Sequence, residues 1–146
     1  MLIYLDMCSI QRPMDDHAQE RVRLEAEAVL GILVRCDAGE AELLDSDALR
    51  FEAERNPYPI RRTFVEEALA RASQFVGVTA LIQQRARGYI EIGMKPLDAL
   101  HLASAVEARA AYFCTCDDRL LRRAKAADTG PTRPVSPLEL IEEIER

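Results

Sequence analysis

The chain has 146 residues, enough for one hydrophobic core and too few for two ordinary domains. Its 49% apolar and 30% charged content is that of a soluble globule, and no apolar run reaches membrane-spanning length. A net charge of −6 with a pI near 5.0 argues against a broad basic surface for nucleic acid, and leaves recognition through bound cations or of small phosphate esters.

Met1 to Leu5 is a short continuous apolar run closed by Asp6, which predicts a strand covered on both faces of a parallel sheet. This start lacks a basic segment and meets an acid too early for a signal peptide, so the expected compartment is the cytoplasm, where the four cysteines stay reduced. Residues 18–36 predict a helix. Val22, Val29, Ile32, Leu33 and Cys36 share one stripe, and Glu20, Arg21, Arg23 and Glu27 fall largely off it. Residues 42–45 suit a second strand. Ser46 is a good N-cap for a helix to Arg55, ended by Asn56-Pro57-Tyr58-Pro59, and Pro59 opens the next helix towards Ala72. Residues 75–78 predict a third strand. Thr79 caps a helix towards Ile92, with Gly93 as its stop, and Pro96 opens another towards Arg109.

Ala111 to Thr115 is the clearest late strand, with a helix from Asp117 to Ala126 behind it. Thr129-Gly130-Pro131 is a turn. Arg133-Pro134-Val135 suits an edge strand, since its proline cannot serve a central one, and Ser136 caps a last helix. Strands alternating with helices predict an α/β sandwich around a mostly parallel sheet, with helix in excess, formed as one domain by residues 1–146.

Three acids stand where elements begin or end, Asp6 after the first strand, Asp98 two residues after Pro96 and Asp117 after the strand ending at Thr115, and a fourth, Glu52, lies within the helix that follows Ser46. Open α/β sheets bind ligands beyond the carboxyl ends of their strands. Acids at helix starts are also ordinary caps, which accounts for Asp98 or Asp117 taken singly. Asp6 is different, because a carboxylate at the end of a buried strand needs a partner or a cation. Carboxylates that converge in space suit the hard cations Mg²⁺ and Mn²⁺. Discounting these four from a net charge of −6 leaves only −2 on the remaining surface.

Leu5-Asp6, Leu49-Arg50-Phe51-Glu52, the run Leu97-Asp98-Ala99-Leu100-His101-Leu102-Ala103 and the run from Phe113 to Leu121 resemble, in order and spacing, the PIN-domain nucleases, which include the VapC-type toxins of toxin–antitoxin pairs. The likeness runs from Leu2 to Leu138 and implies a PIN-like three-layer sandwich with Mg²⁺- or Mn²⁺-dependent cleavage of RNA phosphodiesters. It assigns Asp6, Glu52, Asp98 and Asp117 as the catalytic acids. Asp6, Asp98 and Asp117 would bind one or two metal ions, and Glu52 would hold or deprotonate a metal-bound water. Thr115 matches a supporting hydroxyl, Ser9 the small polar residue after the first acid, and Asp118 a further acid at the rim, while Arg119, read from its place just after Asp117, suits a substrate contact and a solvated charge equally. Met7 and Cys8 stand where the family often has Thr, Ser or Asn. Glu54 competes with Glu52 for the second position, and the register after Leu49 favours Glu52.

The resemblance further implies an RNA substrate, a homodimer, and, for a toxin, an antitoxin protein. Such an antitoxin is expected to set an Arg or Lys among Asp6, Asp98 and Asp117 and an apolar helix face near Ile10, Met14 and Phe51. The alternatives are a non-catalytic PIN-fold interaction module and another metal-dependent phosphoesterase. A halo-acid phosphatase would need an acid where Cys8 stands.

Other features read as structure. His101 shares a helix face with Asp98 and suits a core or supporting histidine, and His17 a solvated loop. Cys114 and Cys116 read as small buried residues rather than zinc ligands. Arg12, Arg122, Arg123 and Lys125 read first as solvated charges. The apolar residues Phe64, Leu69, Leu81, Ile82 and Tyr89 serve a core, with a share left for a dimer face.

Overall fold

The computed structural model describes residues Met1–Arg146. The strands are β1 (Leu2–Leu5), β2 (Glu42–Ser46), β3 (Gln74–Val76), β4 (Tyr112–Cys114) and β5 (Arg133–Val135), in one sheet of order β3-β2-β1-β4-β5. Every pairing is parallel. The helices are α1 (Met7–Gln11), α2 (Glu20–Asp37), α3 (Asp47–Glu54), α4 (Pro59–Leu69), α5 (Ala80–Glu91), α6 (Pro96–Glu107), α7 (Asp118–Ala126) and α8 (Pro137–Glu145). They flank the sheet in the predicted three-layer sandwich, with α2 packed on α8 and α5 on α6.

The continuous apolar run forms the central strand. Ile3, Tyr4 and Leu5 are fully buried, as a strand covered on both faces must be. Tyr4 pairs with Phe113 and Leu5 with Cys114, so β1 and β4 end side by side and their following residues share one edge. Val29, Ile32 and Leu33 of the predicted α2 stripe fill the core while Val22 and Cys36 are half-buried, and Ala99, Leu102 and Ala103 join from α6. The edge strand β5 carries Pro134, as its missing donor requires. No helix is long and apolar enough to cross a membrane.

Several element ends shift by a residue or two from the sequence reading, and three differences have a clear physical cause. β3 starts at Gln74 and stops at Val76, because the Val78 amide leaves the ladder to donate to Asp47 Oδ2 at 2.9 Å. α4 stops at Leu69, and the chain returns to the sheet as the Ser73 amide donates to the Leu43 carbonyl at 3.1 Å. The segment after Asp6, for which the sequence predicts no element, is helical. It forms α1 and a 3-10 turn, Arg12–Met14, with Asp6 as N-cap. Five residues are too few to show helical periodicity, although Met7 and Ile10 on one face are buried. Gly93 does stop its helix, at φ 105°, a conformation that strains other residues.

Candidate active site at the carboxyl edge of the sheet

Asp6 leaves the end of β1 with 4% of its surface exposed. Its Oδ1 accepts the Ser9 amide at 3.0 Å and the Cys8 thiol at 3.1 Å, and the thiol also reaches Oδ2 at 3.3 Å. Burial raises the carboxyl above its usual 3.8, and hydrogen bonds from Thr115, Cys8 and Ser9, with the nearby His101, pull it back. Thr115, fully buried just past β4, also accepts the Asp117 amide on Oγ1 at 3.1 Å. Thr115 Oγ1 also lies 3.5 Å from the Cys8 thiol that meets Asp6, so it stands beside both the first acid and the last.

Asp117 is the N-cap of α7, its Oδ1 accepting the Arg119 amide at 2.9 Å and the Leu120 amide at 3.1 Å. Asp98 is not a cap. Lys95 occupies the N-cap of α6, and no protein group hydrogen-bonds the Asp98 carboxylate. Burial raises the Asp98 carboxyl most, and the charges of Asp6, Asp117 and Glu52 raise it further against the pull of His101. Asp98 thus lies within electrostatic reach of the other three acids.

Glu52 projects from α3, a helix capped by Ser46 through a 3.0 Å bond from the Leu49 amide. Glu52 Oε1 lies 2.6 Å from His101 Nε2. His101 is buried, and its Nδ1 lies 2.6 Å from the Tyr4 hydroxyl. That hydroxyl in turn lies 2.7 Å from Ser46 Oγ. Glu54 is exposed on the same helix and makes no such contact, so the geometry favours Glu52 as the second acid.

Two cavities open beside these residues. One, of about 180 Å³, is lined by Asp98 and Asp117 together with Lys95, Arg119 and Arg123. The other, of about 550 Å³, is lined by Glu52 with Arg55, Tyr58 and Arg61. Asp6 lines neither cavity. No three of the acids, histidines and cysteines already form a cage for an ion. The all-oxygen donor set nonetheless fits a hard cation that keeps several waters, as Mg²⁺ does.

Other candidates are placed differently from the sequence reading. Asp118 turns out of the site, where Arg21 donates to its Oδ1 and Oδ2 at 2.7 and 2.8 Å and holds its carboxyl below the usual range. Ser9 serves Asp6 with its amide, while its hydroxyl donates to the Cys114 carbonyl at 3.2 Å. Arg12 sits in the 3-10 turn and is held by Glu25 at 2.9 Å and Asp15 at 3.0 Å, so it does not reach towards substrate. Arg119 lines the smaller cavity with no carboxylate partner, as does Lys95. Ile10 is fully buried and cannot form a partner groove. Met14 instead joins Pro59, Ile60, Thr63, Phe64 and Glu67 around an apolar groove of about 380 Å³. His101 has the supporting place expected of it, His17 is exposed, and Cys114 and Cys116 are buried.

Sequence reasoning missed the roles of Tyr4 and Cys8. Tyr4 was visible only as a polar tip in an apolar run. Cys8 takes the supporting position beside Asp6 through its thiol, which a search for hydroxyl or amide side chains passes over.

The family model described as PIN domain matches residues 3–126. A chain of VapBC2 from Rickettsia felis, whose crystal structure holds a DNA fragment from their promoter, is similar in fold with a TM-score of 0.58 at 12% identity. That likeness covers 92% of this chain and 99% of the other. No curated protein matches this chain in sequence.

Proposed function

This chain belongs to the PIN domain family, a family of nucleases, and from that premise we propose that it is an Mg²⁺- or Mn²⁺-dependent endoribonuclease, the toxin of a type II toxin–antitoxin pair. The observation that carries the reading is Asp98. It is a half-buried carboxylate with no protein hydrogen bond, raised by Asp6, Asp117 and Glu52, and so poised for a cation that the chain itself does not supply.

Asp6, Asp98 and Asp117 are the residues to hold the ion. Bound there, it would lower the pKa of a coordinated water and offset charge on the scissile phosphate. Thr115, Cys8 and the Ser9 amide keep Asp6 oriented despite its burial. Asp117 uses one oxygen on its helix and keeps the other for ligand. Glu52 accepts a hydrogen bond from the attacking water and aims it. Lys95 and Arg119 lie in the cavity of Asp98 and Asp117 and compensate the phosphate charge, which a chain of net −6 could not do with its overall field.

An open nuclease needs restraint. The antitoxin would place an Arg or Lys against Asp98 and Asp117 and lay an apolar helix face on the groove of Met14, Ile60 and Phe64. The setting is a cytoplasmic homodimer of one-domain chains. Cleavage of single-stranded RNA with Mg²⁺, its loss in chelator, and copurification with the product of a neighbouring reading frame test the proposal. Cleavage that persists in chelator would refute the metal mechanism. A lone chain that does not slow growth would refute the toxin role.

A further inference from the structure

We infer that His101 and Tyr4 are positioning residues that aim Glu52 through a one-directional chain of hydrogen bonds beginning at Ser46. The role of Glu52 rests on the nuclease reading above, whereas the chain itself rests on geometry.

The direction follows from counting hydrogens. An ionised carboxylate only accepts, so the 2.6 Å contact with Glu52 places the proton of a neutral His101 ring on Nε2. Nδ1 is then a bare acceptor, and the Tyr4 hydroxyl 2.6 Å away must donate to it. The Tyr4 oxygen is free to accept the Ser46 hydroxyl at 2.7 Å, and the Ser46 oxygen accepts the Leu49 amide at 3.0 Å. With the ring neutral, this arrangement gives every polar atom along the chain a partner. A buried network has to be fully satisfied to hold a single geometry. The rings are fixed as well, since Tyr4 stacks on Phe113 at 5.7 Å between centroids and meets His101 edge-on at 5.8 Å.

A satisfied buried network could be structural only. Its anchor points argue for more. Tyr4 stands two residues before Asp6 on β1, and His101 one helical turn after Asp98 on α6. Glu52 lies on a different element, α3, and its side chain is one-third exposed with three rotatable bonds. The chain therefore registers Glu52 against the same two elements that carry Asp6 and Asp98. A carboxylate aimed by its own helix alone would lack that registration.

Two measurements test this. The first needs no activity. The protein has two histidines, so an ¹⁵N spectrum of the imidazoles at mildly alkaline pH resolves His101 readily. The expected state is protonated Nε2 and bare Nδ1, with slow exchange of the Nε2 proton that quickens in Tyr4→Phe. A proton on Nδ1, or exchange unchanged in Tyr4→Phe, overturns the chain. The second is cleavage of RNA with Mg²⁺. Tyr4→Phe and His101→Asn should each lower kcat about tenfold with KM nearly constant. His101→Gln, which keeps a donor near the Nε2 position, should recover most of the rate. In a Glu52→Gln background, Tyr4→Phe and His101→Asn should cost nothing further. Equal losses in the Asn and Gln variants, or losses that add to Glu52→Gln, overturn the positioning role. Wild-type protein that cleaves no RNA defeats the nuclease reading, and the imidazole spectrum then still decides whether the chain exists.

Discussion

The acids reach the site by two routes. Asp6 and Asp117 follow adjacent parallel strands whose register, Leu5 against Cys114, brings their ends together, and Thr115 and the amides of α1 and α7 finish the alignment. Glu52 has no strand behind it and is held by side chains, His101 and behind it Tyr4, which are distant in sequence. A placement fixed by strand order is set by the backbone and survives changes of single side chains. A placement fixed by a side-chain chain fails one link at a time.

The largest effect is expected at Asp98, which neither strand end nor side-chain chain places and which the first turn of α6 carries to the same edge. Asp98→Asn should reduce cleavage by more than about a hundredfold, since one of the three carboxylates proposed to hold the ion is lost. The variant should fold. Asp98 has no hydrogen bond to lose and is raised by burial and by three like charges, so the metal-free melting temperature should hold or rise. Near-normal cleavage by Asp98→Asn would dissolve the site. A clear loss of melting temperature would show that Asp98 had a structural partner.

Cation binding comes next. Asp6 and Asp98 both have folded values above the ordinary 3.8, so the folded state holds their protons more tightly than the unfolded chain does. Their contribution to stability is fully present below the unfolded value and is lost as pH rises through the higher folded values. Mg²⁺ or Mn²⁺ should therefore raise the melting temperature at neutral pH and do little near pH 4, where about half of ordinary aspartates are protonated. The rise should shrink in Asp98→Asn. An equal rise in both proteins would place the cation elsewhere.

The two routes also explain what the sequence disclosed. Asp6, Asp98 and Asp117 were legible because strand ends and helix starts are written in local patterns such as Leu2-Ile3-Tyr4-Leu5 and Lys95-Pro96. The sheet was legible from the same alternation. Glu52 could be chosen over Glu54 only by register within a resemblance, because nothing local says which face of α3 meets His101. The helix after Asp6 was too short to declare itself. Asp118 was read as a further acid at the rim beside Asp117, and only the distant Arg21, which pairs with it, shows that it turns away.

A smaller effect falls on Asp6. Cys8→Ala removes a thiol donor from a buried carboxylate, so the Asp6 carboxyl should rise further and cleavage should fall a few-fold at neutral pH. Cys8→Ser restores a donor of the kind the family often uses and should match or exceed wild type. If alanine and serine behave alike, the thiol is filling space and the backbone alone orients Asp6.

The smallest effect is the sharpest control, because it separates two adjacent acids. Asp117 caps α7 and faces the cavity with Asp98, whereas Asp118 is exposed and paired to Arg21. Asparagine caps a helix about as well as aspartate, so Asp117→Asn should keep α7 and lose the negative charge, with a large fall in cleavage and little change in melting. Asp118→Asn breaks only an exposed ion pair, which salt and side-chain entropy already weaken. Its cleavage should stay within about twofold of wild type, and its melting temperature should be unchanged at moderate salt. Parallel kinetics and melting curves of the two variants check this. A fall in Asp118→Asn comparable to that in Asp117→Asn would return Asp118 to the rim of the site and show that Arg21 releases it when substrate binds.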